Sequence, residues 1–150
     1  MAAPDWKDFQ FLLGEWTAAG SGRPGQGIGN VSFTFELDGK ILVRRNHLEF
    51  EATKDNPAFV HDDQLVTYEE ETGEMRAIYF DNEGHTIHYA VTFSPEGNIQ
   101  YISDAVAGAP RFRMSYLHGR GGTYITRFEI APPGHPDEFV THVEGPAKRK

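Results

Sequence analysis

The sequence predicts an all-β protein, a closed antiparallel barrel of about ten strands with a short N-terminal helix. Three observations carry that expectation. A short apolar turn, Phe9-Gln10-Phe11-Leu12-Leu13, runs into Gly14-Glu15-Trp16, which reads as the start of a first strand. From Val31 onward, apolar and polar residues alternate with the period of two that a half-buried strand requires, and turn dipeptides break the alternation at short intervals. Nowhere does the periodicity support a long helix. Antiparallel strands in series expose unpaired edges unless they close on themselves, and a closed barrel of this size encloses room for a small ligand.

The elements follow in chain order. Asp5 is placed to cap a helix over 6–13, with Gly14 ending it and Trp6, Phe9 and Leu13 sharing one face as a plug for the barrel. The run Gly20-Ser21-Gly22-Arg23-Pro24-Gly25 contains G-x-G-x-x-G, but Pro24 and the strand that follows remove the helix a dinucleotide site needs. These glycines read as a connection or a strongly bent strand pair. Strands are then expected at 31–37, 40–50, 64–70, 75–81, 86–93, 99–103, 111–117, 123–130 and 138–144. Asp38-Gly39 gives the strongest hairpin signal among them.

Composition bounds the function. A formal net charge of −8 argues against nucleic acid, whose partners need a basic stripe. The absence of cysteine removes disulfides and thiolate chemistry and fits a reducing cytoplasm, where we expect the protein to reside. No apolar run approaches the roughly 20 residues of a membrane helix, so no membrane partner is expected. No secretory signal is visible, which leaves the Asn30-Val31-Ser32 sequon without meaning. The sequence leaves room for a homodimer.

Parity along each strand assigns the inward rows. They are Val31/Phe33/Phe35/Leu37, Val66/Tyr68, Met75/Ala77/Tyr79, Ile87/Tyr89/Val91/Phe93, Ile99/Tyr101, Phe112/Met114/Tyr116 and Tyr124/Thr126/Phe128/Ile130. All 6 tyrosines fall on these rows, and buried hydroxyls need partners, so the interior reads as a polar-dotted cavity. Tyr79, Tyr89, Tyr101, Tyr116 and Tyr124 are the candidate ligand-binding residues. On the third strand the row Leu42/Arg44/Asn46/Leu48/Phe50 is taken as inward, making Arg44 a candidate anchor for an anionic group. The alternative is that Arg44 merely pairs with a carboxylate at the surface.

No metal site is expected. His85 and His88 stand on opposite faces of a strand, and His61-Asp62-Asp63 reads as a solvated cluster at a loop-to-strand boundary. No nucleophile elbow, thiol or base–nucleophile pair is present, so no catalytic residue is assigned.

Phe11-Leu12-Leu13-Gly14-Glu15-Trp16, Leu37-Asp38-Gly39-Lys40 and the basic end of the last strand resemble a bacterial family of lipocalin-like domains within the calycins. The resemblance spans nearly the whole chain, 1–150, as a single domain. It implies a carrier or sensor for a small, partly polar hydrophobic molecule, with Trp16 stacked beneath a terminal cation, Arg149 or Lys148. An immunoglobulin-like sandwich would explain the strand spacing but not the Gly-Glu-Trp start. Fatty-acid-binding proteins and nitrobindins are more distant likenesses. Nitrobindins hold haem through a histidine of the final strand, where this chain has His142. Its parity opposes Phe139 and Val143, and Arg23-Pro24-Gly25 replaces the nitrobindin Tyr-Pro pair, so no cofactor is expected and haem stands as the alternative. An enzyme using the barrel mouth is the third reading.

Overall fold

The computed structural model describes residues 6–18 and 28–150. Asp5 and the glycine-rich residues 20–27 lie outside the described residues, and so do the expectations that rest on them. A 3-10 helix, Trp6–Leu12, leads into β1 (Gly14–Ala18). Then follow β2 (Ile28–Glu36), β3 (Ile41–Phe50), β4 (Phe59–Glu69), β5 (Met75–Asp81) and β6 (Thr86–Phe93). The chain ends with β7 (Ile99–Ser103), β8 (Arg111–His118), β9 (Tyr124–Ala131) and β10 (Val140–Arg149). Each strand pairs antiparallel with its neighbours in sequence, and β1 pairs with β10 to close the barrel.

The N-terminal segment plugs one end. The three-residue turn of a 3-10 helix eclipses positions i and i+3. Phe9 and Leu12 are therefore the residues it buries completely, with Trp6 packed beside them. Leu13, the expected member of that face under an α-helical period, is only partly buried. Phe9 meets Phe93 edge-on at 5.4 Å, and Trp6 meets Phe35 at 5.5 Å.

Gly14 carries a φ of 116°, a left-handed value that turns the chain from helix into strand and favours glycine. A Cβ there would stand 3.0 Å from the Arg149 guanidinium. That guanidinium donates to the Leu13 carbonyl at 3.1 Å and lies 4.2 Å over the Trp16 ring. Trp16 itself is 0% exposed, and its indole N–H donates to the Leu12 carbonyl at 2.7 Å. Gly-x-Trp is thus a joint in which each residue has a separate physical task.

Three strand readings are corrected. β2 ends at Glu36, because Leu37, Asp38 and Gly39 all take positive φ in the turn; Leu37 is exposed. β4 starts at Phe59, five residues before the expected 64, and its inward row is Asp63/Leu65/Thr67 rather than Val66/Tyr68. Tyr68 therefore faces outward beside Arg76, its register partner. Finally, β10 runs on through Pro146 to Arg149, with a register shift between Thr141 and Val143. That bulge puts two residues against one and flips the alternation. Thr141 consequently pairs with the outward Glu129, and Phe139 lies outside beneath Arg113 at 4.2 Å.

Candidate functional site

The inward side chains divide along the barrel axis. Toward the plug, Trp16, Phe33, Leu42, Ile99, Tyr101, Tyr116 and Tyr124 are fully buried. Their rings form a chain of edge-to-face contacts, the favoured geometry for aromatic quadrupoles. Trp16 meets Tyr124 at 4.5 Å, Tyr124 meets Tyr116 at 5.7 Å, Tyr116 meets Tyr101 at 5.8 Å and Tyr101 meets Tyr89 at 6.2 Å. Toward the far end, the mouth, the inward Val31, Leu48, Tyr79, Ile87, Phe112 and Phe128 keep accessible surface. Ile28, Phe59, Val60, Val106, Val140 and Val143 are exposed around that same end.

Between the two halves lies a polar network. Arg44, 9% exposed, projects inward from β3, and its neighbours across the ladder are Phe33 and Leu65. One terminal nitrogen donates to Tyr116 Oη at 2.8 Å and lies 3.5 Å from Met114 Sδ. The other makes an ion pair with Asp63, which is 6% exposed. Arg44 Nε has no partner among the described residues. Asp63 also accepts from Asn46 Nδ2 at 3.0 Å and meets His61 Nε2 at 2.9 Å. Register places Asn46, Asp63 and Asp81 side by side across β3, β4 and β5. Two carboxylates opposite one another repel, so each needs its own donors. Asp81 receives the Tyr79 hydroxyl at 3.1 Å, the backbone N–H groups of Glu83 and His85 at 2.9 Å each, and a His85 ring contact at 2.9 Å. Burial pushes the Asp81 carboxyl up, but the His85, Tyr79 and Glu83 donors outweigh it and hold it at about 2.

His61 bridges β4 to the β5–β6 turn. Its two ring nitrogens face carboxylates, Asp63 at 2.9 Å and Glu83 at 3.1 Å, while Tyr79 Oη lies 3.3 Å from Nε2. A neutral imidazole has a single N–H and satisfies only one of them; the imidazolium satisfies both. Burial works against that charge, but the Glu83 and Asp63 contacts prevail and raise the pKa above its ordinary 6.5. A raised folded pKa gives stability that is complete below the unfolded value and is lost as pH climbs through the folded one. We expect the stability gap between wild type and His61→Gln to narrow as the pH rises above about 6.5, read from denaturant midpoints across that range. A gap constant with pH would mean that no imidazolium bridges the two carboxylates.

Burial raises the phenol pKa of Tyr79, Tyr89, Tyr101, Tyr116 and Tyr124, so these hydroxyls stay protonated. Tyr101 shares a hydrogen bond with Thr67 at 2.8 Å. The Tyr89 and Tyr124 hydroxyls find no hydrogen-bond partner among the described residues. Sequence reasoning singled out Arg44 and these five tyrosines, and the structure puts all six inside the wall. It missed Asn46, His61, Asp63 and Asp81. The turn explains the miss: a two-residue hairpin at Thr72-Gly73 would set Glu70 opposite Met75, whereas the observed turn pairs Glu70 with Glu74 and Glu69 with Met75, which brings Thr67 and Leu65 opposite the inward Ala77 and Tyr79.

His142 occupies the β10 bulge, is exposed, and meets Phe128 edge-on at 6.5 Å. A groove of about 720 Å³ runs along the outer wall, past Glu15, Ser32, Arg45, Gln64 and Phe80. Those five form one outward register row across β1 to β5, on the other side of the sheet from the tyrosines. No helix among the described residues is long and apolar enough to cross a membrane.

Fold and site together define the class: an up-and-down antiparallel barrel of ten strands, plugged at one end, with a polar network in its interior. Comparison of the chain with protein-family models and with curated proteins finds no match.

Proposed function

We propose that this protein is a carrier or sensor that holds a small, partly polar hydrophobic molecule in the mouth half of its lumen, in the manner of a calycin. The observation that supports the reading is the contrast in exposure along one set of inward rows. Val31, Leu48, Ile87, Phe112 and Phe128 face the lumen yet keep accessible surface, whereas Phe33, Leu42, Ile99, Tyr101 and Tyr116, deeper in the barrel, keep almost none. Binding pockets combine apolar walls with a few placed polar groups; here Tyr79 supplies one at the mouth, and the Tyr89 and Tyr124 hydroxyls lie deeper in the lumen. Arg44, Tyr101 and Tyr116 stand behind them and hold the wall in place through their mutual contacts.

On this reading haem is not the occupant. A haem ligand would have to enter the lumen, and His142 is an exposed bulge residue in contact with only the edge of Phe128 among the aromatic rings. Titration with ferric haem is expected to give no sharp Soret band; a band lost in His142→Ala would replace the carrier by a haem protein. Turnover in a substrate screen would move the assignment to an enzyme.

The binding test is direct. Nile red, an uncharged polarity-sensitive dye, is expected to bind wild type with enhanced, blue-shifted fluorescence. Ile87→Glu places a carboxylate in the lumen wall and is expected to weaken binding by about tenfold or more, the equivalent of 1.4 kcal/mol. Phe80→Glu adds the same charge on the outer wall and should leave binding unchanged. The opposite pattern would transfer the site to the outer groove.

A further inference from the structure

We propose that the lumen selects an uncharged amphiphile, with a hydroxyl, carbonyl or amide as its polar end, and discriminates against carboxylates. The inference rests on the reading of the lumen as a binding site and specifies its ligand class.

Three observations point the same way. First, the interior cation is already neutralised. Arg44 is paired with Asp63, its other terminal nitrogen is taken by Tyr116, and Nε is sealed from solvent without a partner among the described residues. No positive charge is left over for an incoming anion. Second, the approach is acidic. Asp63, Asp81 and Glu83 gather round His61 on the mouth side of Arg44, and His61 already bridges two of them. An arriving carboxylate would add a negative charge to a site whose charges are balanced or already in deficit, in surroundings too dry to solvate it.

Third, the free hydrogen-bonding capacity is neutral. Tyr89 and Tyr124 point inward, each only 2% exposed, and neither hydroxyl has a partner among the described residues. Neither hydroxyl oxygen is sealed from accessible space, and each is left with a proton to donate and lone pairs to accept. Both rings belong to the aromatic chain that runs through Tyr101 and Tyr116. An alcohol, carbonyl or amide oxygen satisfies such hydroxyls without bringing charge.

The experiment is displacement of Nile red by 1-decanol and by decanoate at about pH 8, where the carboxylate is ionised. Decanol is expected to displace the dye at a concentration at least about tenfold lower than decanoate. Decanol is also the more apolar molecule, so the decisive quantity is how the ratio changes in Asp63→Asn. That variant removes the counter-charge from Arg44 and should raise decanoate affinity about tenfold while leaving decanol nearly unchanged. An unchanged ratio overturns the inference, as does decanoate matching decanol in wild type. Near-ultraviolet circular dichroism checks that the variant folds. Should it not fold, Arg44→Met combined with Asp63→Asn removes both charges and is expected to keep the wild-type ratio. A selective loss of decanoate in that double variant shows that Arg44 was holding the carboxylate, and overturns the inference. Tyr124→Phe is expected to weaken decanol severalfold. If Nile red itself fails to bind wild type, the binding reading falls, and the ligand class falls with it.

Discussion

Trp16→Ala is expected to lower the free energy of unfolding by about 3–5 kcal/mol, the range for truncating a buried Trp to Ala. The ring is wholly buried, lies 4.5 Å from Tyr124 at one end of the aromatic chain, and holds the plug through its 2.7 Å bond to the Leu12 carbonyl. Removing it leaves a cavity where the helix, β1 and β10 meet, and frees a carbonyl at the helix end. Arg149→Ala tests the lid over the same ring. It deletes a cation–π contact of about 0.5–2 kcal/mol and one exposed bond to Leu13. The loss in Arg149→Ala should therefore be clearly smaller than in Trp16→Ala, read from urea midpoints at constant slope. Equal losses would mean that the cation, not the indole, organises the joint.

How much of this was legible follows from what each signal encodes. Gly14 and Trp16 were visible because their roles are local: a left-handed φ, and a large ring at a strand mouth. Most strands were visible because alternation and turn dipeptides are local as well. The β4 face was not. Its aromatic Tyr68 and β-branched Val66 look more like core than Leu65, Thr67 and Asp63 do, yet register, a pairwise property, turned them outward. The β10 bulge is invisible for a related reason, since an extra residue is defined only against its partner strand. Missing β4 meant missing the site. With Asp63 read as part of a solvated cluster, Arg44 reads either as an interior cation for an anionic ligand or as the partner of a surface carboxylate, and neither reading gives the buried pair. The ladder instead places Asp63 two residues along from Leu65, the neighbour of Arg44, and so on the same face, which is how the two charges meet.

That pairing leads to the second large effect. Asp63→Asn is expected to lower stability by about 3–5 kcal/mol, because it leaves a buried guanidinium without its counter-charge. Arg44→Met should be milder. The Asp63 carboxylate it leaves behind still accepts from Asn46 and still faces His61, which bears its own proton. The orphaned Tyr116 hydroxyl adds a smaller loss, since a neutral group left unsatisfied costs about 1–3 kcal/mol. Arg44→Met combined with Asp63→Asn buries no uncompensated charge. It should therefore be more stable than Asp63→Asn alone, although it carries one more substitution. Urea denaturation of the four proteins gives the coupling directly, and residues in contact within one network are expected to show a large departure from additivity. Additive losses would mean that the two groups are separately solvated, and that Arg44 is free to meet a ligand. A double variant more stable than Asp63→Asn would locate the stabilising effect of Asp63 in its charge. The interior cation is then neutralised where it stands, and among the described tyrosines only the Tyr89 and Tyr124 hydroxyls are free to bond a ligand.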